Sequence, residues 1–176
     1  MDLNQRFAEG GEAELEELIA EYKLRLIYYA KSILYNHQDA EDAVQDTFIL
    51  AYKNRRRFDG RNLQAWLYKI TYNLCINKRK AHKILFLGDI LERLTDTSDF
   101  TANIADHDFM IAALGKIGIK DRAILYMRIM ENLSYDEISE ITGRPQTALR
   151  KQFERAKKKV AANLEKMGIK GGFENA

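Results

Sequence analysis

Cysteine, proline and tryptophan each occur once in 176 residues. The lone thiol, Cys75, cannot form an intramolecular disulfide, which fits a reducing compartment. Its helical spacing from Ile70 and Leu74 marks it as a packed side chain rather than a nucleophile. A single proline leaves room for long helices, and the β-branched alternation that marks strands is sparse. No apolar run reaches the roughly 20 residues that span a bilayer. The stretch from Met1 to Glu17 is acidic and lacks the apolar core of a secretory signal. The expectation is a cytoplasmic protein with no membrane insertion. The three histidines, His37, His82 and His107, stand apart in the chain. There is no Cys/His metal spacing and no Walker-type glycine loop. No cofactor and no catalytic residue are therefore expected. A magnesium-dependent nucleic-acid enzyme could use Asp39, Asp42 and Asp46, but one-turn steps make a line of carboxylates, not a cage.

What is present is charge arranged in blocks. The net charge is only +2. Residues 1 to 50 nevertheless hold 4 basic and 11 acidic side chains, and residues 51 to 83 hold 10 and 1. Residues 84 to 142 reverse this with 5 and 11, and residues 143 to 170 return to 9 and 2. Two separate basic blocks suit two contacts with a polyanion, since lysine and arginine near phosphates release counterions. Plain solvated faces are the competing explanation.

Apolar periodicity predicts an all-α chain of two small helical domains joined by a flexible linker. The first helix carries Leu15, Leu18, Ile19, Tyr22, Leu26, Tyr29, Ala30 and Ile33 at spacings of three and four. A second is expected to start at Asp39, a good N-cap, with Ala40, Ala43, Val44, Phe48, Ala51 and Tyr52 inward. Phe58-Asp59-Gly60 breaks the pattern, and Asn62 caps a third helix to about Lys80. The N-terminal domain is placed at residues 1–82. Residues 83–106, with a short amphipathic piece at Ile84 to Leu94 and the polar run Thr95-Asp96-Thr97-Ser98-Asp99, are placed as the linker. Helical spacing returns at Phe109, so the second domain is placed at 107–170, stopped by Gly168, with a tail at 171–176.

The sharpest local signal lies in that second domain. Ser134 and Glu137 form a capping box, Ile138 and Ile141 face inward, and Gly143 supplies a turn. Pro145 suits the first position of the next helix. That helix buries Leu149, Phe153, Ala156, Val160 and Leu164, with Arg150, Lys151, Glu154, Arg155 and Lys157 outward. Short helix, glycine turn and basic helix make a helix-turn-helix, whose second helix fits the DNA major groove. Lys157, Lys158 and Lys159 suit phosphate rather than bases. A helical hairpin with a solvated lysine face is the alternative.

In the first domain, Asp39, Asp42 and Asp46 share one helix side, a stripe with no visible partner that suits docking on a basic surface. At about 100° per residue, Leu63, Trp66, Leu67, Ile70 and Leu74 cluster on one side of the third helix. Tyr68, Tyr72 and Ile76 fall opposite, among Lys69, Arg79 and Lys80. Exposed rings among cations are what a single-stranded nucleic-acid site uses. Packing of Tyr68 and Tyr72 under the linker is the other possibility.

These segments together resemble the extracytoplasmic-function (ECF) group of the sigma-70 family. Asp39 to Phe48 is similar to that family's region 2 signature, and Asn62 to Leu74 resembles the stretch after it. Leu133 to Ile138 and Gly143 to Lys157 resemble region 4. The resemblance implies a non-catalytic factor that takes core RNA polymerase to particular promoters. It also implies that the factor docks on clamp helices of the largest polymerase subunit and opens double-stranded promoter DNA. It further implies control by an anti-sigma factor. The positions matching the polymerase contact are Asp39, Glu41, Asp42, Gln45 and Asp46. Those matching minus-ten strand capture are Arg61, Asn62, Lys69, Tyr72, Asn73, Lys78 and Arg79. Those matching the minus-thirty-five reader are Arg150, Lys151, Glu154, Arg155 and Lys157.

The chain departs from the family pattern at Ala148, which lacks a common hydroxyl, at Gln152, which lacks a common charge, and at Ile117-Gly118, where Leu-Pro often opens region 4. Promoter preference is therefore not transferable from relatives. A stand-alone operator-binding regulator explains the C-terminal half alone and leaves the acidic helix and the Tyr68/Tyr72 face idle.

Overall fold

The computed structural model describes residues 3–85 and 117–166, with side chains given to residue 81 and from 117. Every regular element in them is helical. In chain order these are α1 (Leu3–Phe7), α2 (Glu12–Leu34), α3 (His37–Asn54), a 3-10 turn (Arg55–Arg57) and α4 (Leu63–Leu85). They are followed by α5 (Ile119–Ile129), α6 (Tyr135–Thr142) and α7 (Gln146–Lys166). The expected linker core, the return of helix at Phe109, the stop at Gly168 and the tail lie outside the described residues.

Local chemistry accounts for most boundaries. Glu14 accepts the Gly11 amide at 2.8 Å, opening α2 with a satisfied donor. The α2 end is left-handed at Tyr35 (φ 56°), and its Ile33 carbonyl accepts from Arg122 at 2.9 Å, a cation well placed at a helix C-terminus. α3 begins two residues earlier than expected. Asn36, not Asp39, is the N-cap, and its Oδ1 accepts the Asp39 amide at 2.9 Å. Asn62 caps α4 as expected, accepting the Ala65 amide at 2.9 Å. Gly60 makes the break before it in the left-handed region (φ 76°).

α2, α3 and α4 form the N-terminal bundle around Leu18, Leu26, Ile33, Leu63 and Leu67, each at most 1% exposed. At roughly 25 cal/mol per Å² of apolar surface, such residues supply its main stabilisation. Thr47 and Thr71 sit inside it, each hydroxyl returning to a carbonyl four residues back. Cys75 is fully buried, and burial pushes its thiol up to about 12, consistent with a packing role.

The two halves are not separated in the structure. Tyr29 of α2 is enclosed by Tyr68 of α4, at a ring distance of 4.8 Å, and by Tyr126 of α5, at 5.7 Å. All three rings are completely buried. Arg25 of α2 donates Nε and Nη2 to Glu131 at 3.0 and 2.5 Å. The guanidinium of Arg122 lies 4.0 Å over the Tyr35 ring. An aromatic centre flanked by two cross-domain arginine contacts thus joins the modules.

Candidate nucleic-acid interface

The helix-turn-helix forms as its sequence dictates. Ser134 and Glu137 complete the capping box, with Ser134 Oγ accepting the Glu137 amide at 3.2 Å and Glu137 accepting the Ser134 amide at 2.7 Å. Gly143 turns the chain at φ 68°. Pro145 caps α7 rather than occupying its first turn, since its carbonyl accepts the Leu149 amide at 3.1 Å. The turn is stapled twice, by Ser139 Oγ donating to the Arg144 carbonyl at 2.7 Å and by Gln146 donating to Asp136 at 2.9 Å.

The predicted inner row of α7, Leu149, Phe153, Ala156, Val160 and Leu164, is buried. Arg150, Lys151, Glu154 and Arg155 lie exposed on its outer side, while Lys157 is half-buried, 3.9 Å from Glu154. Arg150 rests 4.5 Å over Tyr135, which limits its freedom without hiding it. Asp121 of α5 orients the helix by accepting from Gln152 at 2.5 Å and from Lys159 at 2.9 Å. Burial raises the Asp121 carboxyl, but Lys159 and Gln152 together hold it below its usual value. Gln152 is thus an inward packing residue, only 5% exposed, which explains why it carries no charge.

The acidic positions of α3 divide. Glu41, Asp42 and Gln45 rim a groove floored by Leu15, Ile19, Val44, Phe48 and Ile49 between α2 and α3. Ile49 is 44% exposed there, apolar area of the kind a partner covers. Asp46 is exposed but not part of the groove wall. Asp39 and Asp42 are not without partners, as the sequence suggested. Lys78 of α4 approaches them at 3.9 and 3.7 Å.

The seven minus-ten positions divide as well. Arg61, Asn62 and Lys69 meet Arg57, Phe58 and Trp66 in one hollow. Asn73 is exposed, Arg79 borders a separate apolar hollow, and Lys78 faces α3. Tyr68 and Tyr72 are not exposed rings. They are 0% and 8% exposed, with Tyr68 packed on Tyr29 of α2 and close to Tyr126 and Glu131 of the second domain. Burial, then the nearby Glu131 charge, drives the Tyr68 hydroxyl well above its usual value.

The far wall of the Arg61 hollow is acidic and comes from α6: Asp136, Glu137 and Glu140. Asn62 Nδ2 donates to Glu137 at 2.7 Å. Burial raises the Glu137 carboxyl, but the Ser134 amide and hydroxyl, Asn62 and Arg128 together hold it below 4.5. Sequence reasoning missed this contact and those of Arg25, Arg122 and Glu131. Nothing local marks a residue as cross-domain.

Two family models match the chain, Sigma-70 region 2 over residues 18–83 and Sigma-70, region 4 over residues 110–160. RNA polymerase sigma factor YlaC of Bacillus subtilis is 25% identical over 160 residues, covering 86% of this chain and 92% of the relative. ECF RNA polymerase sigma factor SigW of the same organism is 26% identical over 170 residues, covering 88% and 91%. The fold is similar to CnrH, solved in complex with the cytosolic domain of CnrY, with a TM-score of 0.70 and 23% identity over 93% of this chain and 96% of that one. It is also similar to the sigma factor RpoE, solved with the anti-sigma factor NepR from Bartonella quintana. There the TM-score is 0.75 and the identity 21% over 85% of this chain and 96% of that one. With both signature regions matched in order and folded as described, the chain belongs to the ECF group of the sigma-70 family of RNA polymerase sigma factors.

Proposed function

We propose that this chain docks on core RNA polymerase through the α2–α3 groove and its Glu41, Asp42 and Gln45 rim. The Arg57–Lys69 surface then captures the minus-ten strand, and the outer face of α7 reads the minus-thirty-five duplex. The observation that carries this reading is the coexistence, in one chain, of an apolar groove with a polar rim, in which Glu41 and Asp42 stand with Lys23 and Lys53, and two separate basic surfaces. A groove of that kind suits a protein partner, and the basic surfaces suit DNA. The same groove suits an anti-sigma protein, which would compete with polymerase. The protein works as a cytoplasmic initiation factor without catalytic chemistry of its own. Among the described residues no helix is long and apolar enough to cross a membrane.

Closure of the two modules adds a step. Asn62 is engaged by Glu137, and acidic α6 faces Arg57, Arg61 and Lys69. Asn62 is therefore released when the modules part, while Arg61 and Lys69, already exposed, lose the acidic wall that faces them. Polymerase binding each module at its own site supplies that separation and then raises the effective concentration of one DNA contact once the other forms. The free chain should accordingly bind promoter duplex poorly.

The test is copurification with core polymerase, using wild-type chain and Asp42→Lys. Retention of the wild type and loss of the variant supports the groove. A chain that binds operators tightly alone and ignores polymerase is a stand-alone regulator.

A further inference from the structure

The family match begins at residue 18, yet the residues before it are tied into the minus-ten surface. The first four amides of a helix have no partner within it. In α4 one of these, on Leu63, donates to Asn4 Oδ1 at 2.8 Å, across 59 residues of chain. The Asn4 carbonyl borders the turn at Gly60, where a Cβ would lie 3.9 Å from it. Phe7 is completely buried and meets Trp66 edge-on at 6.2 Å. Trp66 in turn packs against Phe58 at 5.1 Å. Arg55, in the turn before that loop, donates Nε to the Gly10 carbonyl at 2.8 Å. The segment is itself anchored to α2, since Arg6 donates to both oxygens of Glu17 at 3.0 and 2.7 Å. Three ties from one short segment thus converge on residues 55 to 66.

Between those ties lie the groups offered to the minus-ten strand. Arg61 is 86% exposed at its side chain, and Asn62 ends the same loop. A mobile loop of that length would have to be ordered at the moment of strand capture, at a cost in affinity. We infer that residues 3–10 are a positioning brace: Asn4 and Phe7 hold the loop at 58–62 and the start of α4 in the shape that receives the single strand. This rests on the functional reading above. Neither residue touches DNA in this scheme; they act through Leu63, Trp66 and Phe58.

The test uses the full chain as wild type, Asn4→Ala and Asn4→Asp, each assembled with core polymerase. The probe is the non-template single strand of a promoter on which wild-type holoenzyme initiates. A lost helix cap is worth about 1 kcal/mol, so Asn4→Ala should bind the strand about fivefold more weakly. Asn4→Asp keeps an acceptor at the helix N-terminus and should restore binding. Affinity for core polymerase and for minus-thirty-five duplex should stay at wild-type level. A folding defect would instead lower all three together, and that result overturns the brace, as does wild-type strand binding by Asn4→Ala. In the free chain, Leu63 amide exchange should quicken in Asn4→Ala; an unchanged rate also overturns it. A wild-type chain that neither binds polymerase nor initiates anywhere refutes the functional reading itself.

Discussion

Arg25 and Glu131 join the modules by a charge pair whose two halves are unequally buried. The arginine side chain is 38% exposed and the carboxylate 4%. Breaking a buried pair by removing one partner costs about 3–5 kcal/mol, because the survivor is left uncompensated. Water reaching the Arg25 side reduces this to about 1.5–3 kcal/mol, the range for hydrogen bonds to charged groups. Arg25→Ala should therefore shift the balance from closed toward open by roughly 10- to 100-fold, at about 1.4 kcal/mol per factor of ten. Glu131→Ala should do less, about 1 kcal/mol or below, since the freed guanidinium can turn to water. The reversed pair Arg25→Glu with Glu131→Arg should recover part of the closure that either reversal loses alone. The assay is energy transfer between dyes on Ala20→Cys and Ala162→Cys, both exposed positions. Buried Cys75 should stay unlabelled. In parallel, the free Arg25→Ala chain should gain affinity for single-stranded promoter DNA. Transfer efficiency in Arg25→Ala equal to wild type, or an opening order with Glu131→Ala ahead, would refute the reasoning.

Two further outcomes follow from the buried titrating groups. Cys75 alkylation should be negligible in the native chain and proceed only with unfolding, because the thiol is enclosed and pushed to about 12; rapid modification without denaturant contradicts that placement. Glu137 has a folded value below its usual 4.5, so its contribution is complete above about pH 4.5 and fades as pH falls through the lowered value. Wild-type stability should thus drop more steeply than that of Glu137→Gln on acidification below about pH 5, measured by thermal unfolding. Parallel curves would remove the carboxylate from the account.

How far the sequence reached depended on how local each signal was. The helix-turn-helix was legible, but for the one-residue shift at Pro145, because Ser134, Glu137 and Gly143 specify their geometry within a few residues. The caps at Asn36 and Asp39 were harder to separate: both residue types cap well, and the first one in the chain was used. The projection of α4 was right in angle and wrong in environment. Tyr68 and Tyr72 do lie opposite Leu63 and Leu67, but the helix is buried on both sides because the second module, chiefly α6, packs against the second. α1 was invisible since five residues carry no readable period. Lys78, read toward DNA, turns to Asp39 and Asp42, a pairing across helices that spacing along one helix cannot show. The acidic stripe at Asp39, Asp42 and Asp46 and the outward Arg150, Lys151 and Arg155 were read from the residues, whereas Glu41, Gln45, Arg61, Asn62 and Asn73 came from resemblance to the family.

Direction of core RNA polymerase to promoters is the activity on which the rest depends. Transcription in vitro with core enzyme on a library of upstream regions, with and without the protein, tests it most directly. New start sites should appear that share two spaced elements, abolished by Asp42→Lys through docking and by Arg155→Glu through duplex reading. No protein-dependent initiation, together with no binding to core enzyme, would contradict it.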